Sequence, residues 1–135
     1  MTITPSAADV MAQIRHAVGG RRYDLASELR LHAEMEADLA ACAPRLVVER
    51  EAPLGRGRID FLVRHDGWDL SPGSPGVGIE VKRQASRKAI LGQLERYAGN
   101  DRIIALVLVT ATAMALPVNI NRKPVTGVSL GAGFL

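Results

Sequence analysis

Arg58-Ile59-Asp60-Phe61-Leu62-Val63-Arg64 and Val77-Gly78-Ile79-Glu80-Val81-Lys82-Arg83 are separated by His65 to Gly76, a stretch containing Asp66-Gly67 and Ser71-Pro72-Gly73-Ser74-Pro75-Gly76. The two flanks are short, rich in β-branched residues and alternating, which is strand patterning, whereas the middle is turn chemistry throughout and reads as an exposed loop. A strand, a Pro/Gly loop and a strand make an antiparallel hairpin. With side chains alternating along a strand, Ile59, Phe61 and Val63 share one face of the first, and Asp60 and Leu62 share the other. In the second, Gly78, Glu80 and Lys82 stand on one face, with Val77, Ile79 and Val81 opposite.

Working outward, Arg45 to Glu51 reads as an earlier strand around Leu46, Val47 and Val48, joined to the hairpin by the turn Pro53-Leu54-Gly55-Arg56-Gly57. Before Pro44 the period is helical: Leu25, Leu29, His32, Met35, Leu39 and Cys42 recur at steps of three and four, which predicts a helix over Leu25 to Ala43 with Glu28 on its inward stripe. A first helix is predicted over Pro5 to Val18, with Val10, Met11, Ile14 and Val18 on one side, Ser6 as N-cap and Gly19-Gly20 as its stop. Downstream, Ala85 to Ala98 reads as a helix opened by Ser86, burying Ile90, Leu91, Leu94 and Tyr97 or Ala98. Ile103 to Thr110 is apolar without alternation, as a central strand covered on both faces would be. Beyond it, a short helical turn near Met114 and an edge strand over Val125 to Leu130 are expected. The order α-α-β-β-β-α-β predicts an α/β fold, a mixed β-sheet flanked by helices, with a parallel crossover through the last helix.

A chain of 135 residues is the size of one domain, here 1–135, with an N-terminal helix over about 5–18 and a core over about 25–110. Its 47% hydrophobic and 23% charged residues exclude a disordered segment. The apolar run from Ile103 is too short for a bilayer span and is interrupted by Thr110, Thr112 and Pro117, and Met1 to Ala8 lacks a secretory signal. No membrane association and a cytoplasmic location are expected. The lone cysteine, Cys42, can form neither an internal disulfide nor a zinc cluster and reads as a small core residue. A net charge of +3 is compatible with a polyanionic partner, and fourteen of the seventeen basic residues are arginine, whose planar fork suits phosphate.

The hairpin sets Asp60 and Glu80 side by side. Two carboxylates, with the main-chain carbonyl of Val81 and waters, are the hard oxygen donors that Mg2+ or Mn2+ prefers. Lys82, two residues beyond Glu80 on the same face and about 7 Å along the strand, places an ammonium where it can orient a water or meet charge building on a phosphate. Arg56 and Arg58 before the second strand, and Arg83, Arg87 and Lys88 after the third, are placed to hold a nucleic-acid backbone.

Ile59-Asp60, Glu80-Val81-Lys82 and Gln93-Leu94-Glu95-Arg96-Tyr97 together resemble the PD-(D/E)XK nuclease superfamily, the restriction-endonuclease-like fold of many restriction enzymes, junction resolvases and small phage nucleases. The match spans roughly Leu25 to Thr110, with Ile59 standing where the family's name has proline. The resemblance implies that Asp60 and Glu80 bind Mg2+ or Mn2+, that Lys82 positions the attacking water, and that Glu28, Glu36 or Glu34 on the preceding helix completes the site, Glu28 fitting best by position. It further implies that Gln93 orients a catalytic group or touches the phosphate. Tyr97 is either a nucleic-acid contact or core, and His32 is a packed histidine, since no second histidine stands at metal spacing. The expected activity is divalent-metal-dependent hydrolysis of phosphodiester bonds in DNA, by a monomer or a homodimer. The alternative is a non-catalytic nucleic-acid-binding or protein-interaction module on the same fold, or an assembly protein using Val125 to Leu135 as an interface.

Overall fold

The oxygen of Ser6 accepts the amide of Asp9 at 3.1 Å and the Asp9 carboxylate accepts the amide of Ser6 at 2.9 Å. This capping box opens the first helix, α1 (Ala7–Val18), in the computed structural model, which describes residues 4–19, 21–111 and 113–130. Gly20 and the end of the Val125 to Leu135 segment lie outside the described residues. Val10, Met11, Ile14, Ala17 and Val18 are buried, as the spacing predicts.

The second helix, α2 (Glu28–Cys42), starts three residues later than its periodicity suggests, because Ser27 is the N-cap and accepts the amide of Arg30. Asp24 holds the lead-in as a turn by accepting the amide of Ala26 and the Arg30 guanidinium. With Leu25 outside the helix, the buried stripe is Leu31, His32, Met35 and Leu39. Leu29, expected inside, is 74% exposed. It lies two residues, some 200° of rotation, from Leu31 and so faces away. Cys42 is half-buried against the core, and its sulfur accepts from the Arg21 guanidinium.

β1 (Leu46–Leu54) and β2 (Gly57–His65) pair antiparallel around Gly55-Arg56, where Gly55 has φ +67° as the first residue of a two-residue hairpin loop. Pro53, expected in the turn, belongs to β1, where its missing N–H is tolerated on an edge strand. β3 (Gly76–Lys82) pairs antiparallel with β2, forming the expected hairpin, and parallel with β4 (Ile103–Thr110), the connection running through α3 (Arg87–Ala98). A two-residue β5 (Asn119–Ile120) turns through Asn121 and Arg122, both at positive φ, into β6 (Lys123–Ser129). The six-stranded sheet has the order β1-β2-β3-β4-β6-β5. β6 is therefore an interior strand parallel to β4, not the expected edge, and β5 takes the edge. Residues 113–118 form no helical turn; Met114 and Leu116 pack irregularly against the α3 side.

The sheet is covered on both faces. Phe61, Val63, Val77, Ile79, Val81, Ala105, Val107 and Val109 meet α1 and α2. Leu62, Leu106 and Leu108 meet Ile90, Leu94 and Tyr97 of α3. Ile59, expected beside Phe61, packs instead with Leu62 on the α3 side, so the alternation of β2 slips at Asp60. The loop after β2 is tethered: the Arg64 guanidinium donates to the Ser71 carbonyl and the Ser74 hydroxyl, Arg102 reaches the Ser74 carbonyl and Glu49, and the Trp68 indole donates to the carbonyl of Pro5. Among the described residues no helix is long and apolar enough to cross a membrane.

β3 can lie this close to β2 because it begins with glycine. A Cβ on Gly76 would stand 2.7 Å from the main-chain oxygen of Val63 and 2.9 Å from Cγ of Arg64. Gly76→Ala is expected to destabilise the fold by about 2 kcal/mol in urea denaturation; unchanged stability would show that β2 and β3 are not pressed together there.

Candidate functional site

The β2–β3 ladder pairs Val63 with Val77, Leu62 with Gly78 and Phe61 with Ile79, and stops there. The next pair, Asp60 and Glu80, exchanges hydrogen bonds through side chains. The Asp60 amide donates to Oε1 of Glu80 at 3.3 Å, and the Val81 amide donates to Oδ2 of Asp60 at 2.7 Å. Each carboxylate thus satisfies a main-chain donor that the parted strands leave unpaired. β1 is irregular at the same level, since Glu51, opposite Asp60, has φ +48° between the Arg50–Phe61 and Ala52–Ile59 pairs. At this level Ile59 lies on the α3 face and the Asp60 carboxylate reaches the Val81 amide of β3.

Glu80 is almost wholly enclosed, at 3% exposed. Its Oε2 is 3.4 Å from Nζ of Lys82 and 3.0 Å from the Tyr97 hydroxyl, which also meets the carbonyl of Arg58 and accepts from the Gln93 amide at 2.7 Å. Burial, and then the Asp60 carboxylate, push the Glu80 carboxyl up from 4.5 to about 7, against the opposing pull of Lys82. The same burial, with Glu80 beside it, pushes the Tyr97 phenol up, so it stays a donor. Tyr97, expected as either a nucleic-acid contact or core, lies buried with its hydroxyl on Glu80. Gln93 orients Tyr97 and through it Glu80.

Across the gap, α2 brings Glu28 and His32 to Asp60. Nε2 of His32 is 3.8 Å from Oδ2 of Asp60 and 3.9 Å from Oε1 of Glu28, and these three residues offer ligand atoms within 4.8 Å of one another. Glu36, the alternative to Glu28, is paired with Arg50 at 3.3 Å, and Glu34 borders a cleft with Tyr23 and Asp38. His32 was readable as a neighbour of Glu28 from the four-residue spacing on one stripe. Its approach to Asp60 was not, because that depends on how α2 crosses the end of β2.

A cavity of about 550 Å3 opens beside these groups, lined by Glu28, Leu31, Val81, Lys82, Arg83 and Gln84. Arg83 donates to the carbonyl of Leu25 and Arg87 to that of Ala115, each leaving further guanidinium donors. Lys88 is exposed on the first turn of α3. Arg56 sits exposed at the tip of the β1–β2 hairpin, beyond Asp60, and Arg58 is exposed with Glu51 at 3.5 Å. All five basic residues therefore lie toward the end of the sheet where Asp60 and Lys82 stand. No protein-family model, curated protein or solved structure matches the chain.

Because Glu80 holds its proton more tightly folded than unfolded, it contributes stability that is full below pH 4.5 and is lost as pH rises through about 7. In urea denaturation with EDTA, stability is expected to fall between about pH 5 and pH 8 by on the order of 2 to 3 kcal/mol, and Glu80→Gln is expected to remove that slope. An identical slope in the variant would show that Glu80 is ionised throughout.

Proposed function

We propose that the chain is a divalent-metal-dependent nuclease of the PD-(D/E)XK type that hydrolyses phosphodiester bonds in DNA. The observation carrying this reading is the meeting of Asp60, Glu80 and Lys82 where β2 and β3 part, next to a cavity that Glu28, Val81 and Lys82 line. Three carboxyl groups, Glu28, Asp60 and Glu80, stand here with the ammonium of Lys82, an acidic balance that a divalent cation would offset. Oxygen donors of this kind suit Mg2+ or Mn2+, and Asp60, Glu80, Glu28 and the Val81 carbonyl would hold the ion.

When bound, such an ion polarises a phosphoryl oxygen and makes its water more acidic. The chain's own residues do the rest. Asp60 is held by the Val81 amide, and Glu80 by the Asp60 amide and Tyr97, so neither must reorganise when substrate arrives. Lys82, 29% exposed at the cavity edge, orients the attacking water and faces charge developing on the phosphate. Arg83, Arg87, Lys88, Arg56 and Arg58 supply contacts that grip the backbone without reading bases.

Supercoiled, linear, single-stranded and four-way-junction DNA, incubated with Mg2+, Mn2+ or EDTA, test the reading. Cutting that requires the divalent ion and falls at least about 100-fold in both Asp60→Ala and Lys82→Ala is expected. Tight DNA binding with no cutting of any substrate would make the chain a binding module on this fold.

A further inference from the structure

We infer that His32 is itself a metal ligand through Nε2, completing with Glu28 and Asp60 a mixed nitrogen and oxygen site that favours a transition ion such as Mn2+ or Co2+ over Mg2+. The inference deepens the nuclease reading and rests on its placing of a divalent ion beside Asp60. It stands on geometry that the carboxylates alone do not explain.

The His32 side chain is 7% exposed, and its Nε2 is buried without a hydrogen-bond partner. A buried polar atom left unsatisfied costs about 1–3 kcal/mol, so its surroundings call for a reason. The ring is held: α2 buries it between Leu31 and Met35, and it meets the Phe61 ring edge to face at 5.4 Å. Thus fixed, Nε2 aims at the space between Oδ2 of Asp60 and Oε1 of Glu28, at 3.8 and 3.9 Å. Both separations are too long for hydrogen bonds, and a protonated imidazole bridging two carboxylates would draw them to under about 3 Å. They come close to the spacing of atoms sharing one ion. Ligands about 2.1 Å from a common centre stand roughly 3.0–3.5 Å apart in octahedral or tetrahedral arrangements. Closing the His32 separations takes roughly 0.3–0.9 Å, and Glu28, with a 60% exposed side chain, has room to move toward Nε2. Asp60 is already oriented by the Val81 amide.

The donor type then sets the choice of ion. Imidazole suits transition ions, whereas Mg2+ keeps oxygen ligands and its own waters. His32→Gln retains a polar side chain of similar reach but removes the imidazole.

The test uses the full chain stripped with EDTA and then dialysed. Mn2+ binding is read from the electron paramagnetic resonance of free Mn2+, Co2+ binding from its visible absorption, and Mg2+ binding from competition with Mn2+. The wild type is expected to bind Mn2+ and Co2+ more tightly than Mg2+. His32→Gln is expected to lose at least about 10-fold in affinity for both transition ions and less than about 3-fold for Mg2+, and to shift the Co2+ bands. Equal affinities in variant and wild type would overturn the inference and leave the nuclease reading standing. His32-dependent binding by a chain that cuts no DNA would support the inference and remove the nuclease reading. A wild type that binds no divalent ion would end both. Should the variant fail to fold, the imidazole nitrogen resonances of wild-type His32 decide: a large shift of Nε2 on adding diamagnetic Zn2+ supports ligation, and an unmoved signal at saturation overturns it.

Discussion

The reciprocal bond between β2 and β3 is the constraint on which the rest of the site depends. The Asp60 amide gives its hydrogen to the Glu80 carboxylate, and the Val81 amide gives its hydrogen to the Asp60 carboxylate. Had these strands stayed zipped, the Asp60 amide would belong to the ladder and the Glu80 carboxylate would not be needed to accept it. Because the ladder ends at Phe61 and Ile79, the two acids take the place of main-chain acceptors and are locked by the sheet itself. Side chains anchored on strands in this way are placed more sharply than ones carried by a loop.

Holding the acids there works against the fold's own stability. Glu80 is enclosed beside a second carboxylate, and among the described residues one cation, Lys82, lies within ion-pair reach of it. The fold offsets this with polar contacts: the Tyr97 hydroxyl on Glu80, Gln93 behind Tyr97, and the amides of Asp60 and Val81. On the far side, His32 is left with an unsatisfied nitrogen. Crowded acids and an orphaned nitrogen around one point are the kind of local conflict that folds keep where function requires it.

Much of this was legible in the chain. The Pro/Gly loop between two alternating strands announced the hairpin, and the unalternating Ile103 to Thr110 run announced a strand buried on both faces. Ser6, Ser27 and Ser86 each cap a helix, and the helical spacing of Leu25 and Leu29 across Ser27 obscures the second cap in the sequence. What strict alternation could not show is the slip at Asp60, which moves Ile59 to the opposite face from Phe61 at the level where Glu51 has positive φ. The same limit hid the inward role of Tyr97, since helical spacing shows that a residue is buried but not which acid it meets. The interior place of β6 followed from pairing with β4 and left no mark in its own sequence.

Mass spectrometry of DNA incubated with the protein in 18O-labelled water, with Mg2+ or with EDTA, separates hydrolysis at this site from binding alone. Hydrolysis at the Asp60–Glu80–Lys82 site predicts cut strands whose new terminal phosphate carries one solvent oxygen, formed only with the divalent ion. DNA left whole in both samples, or cut equally in EDTA, would contradict it.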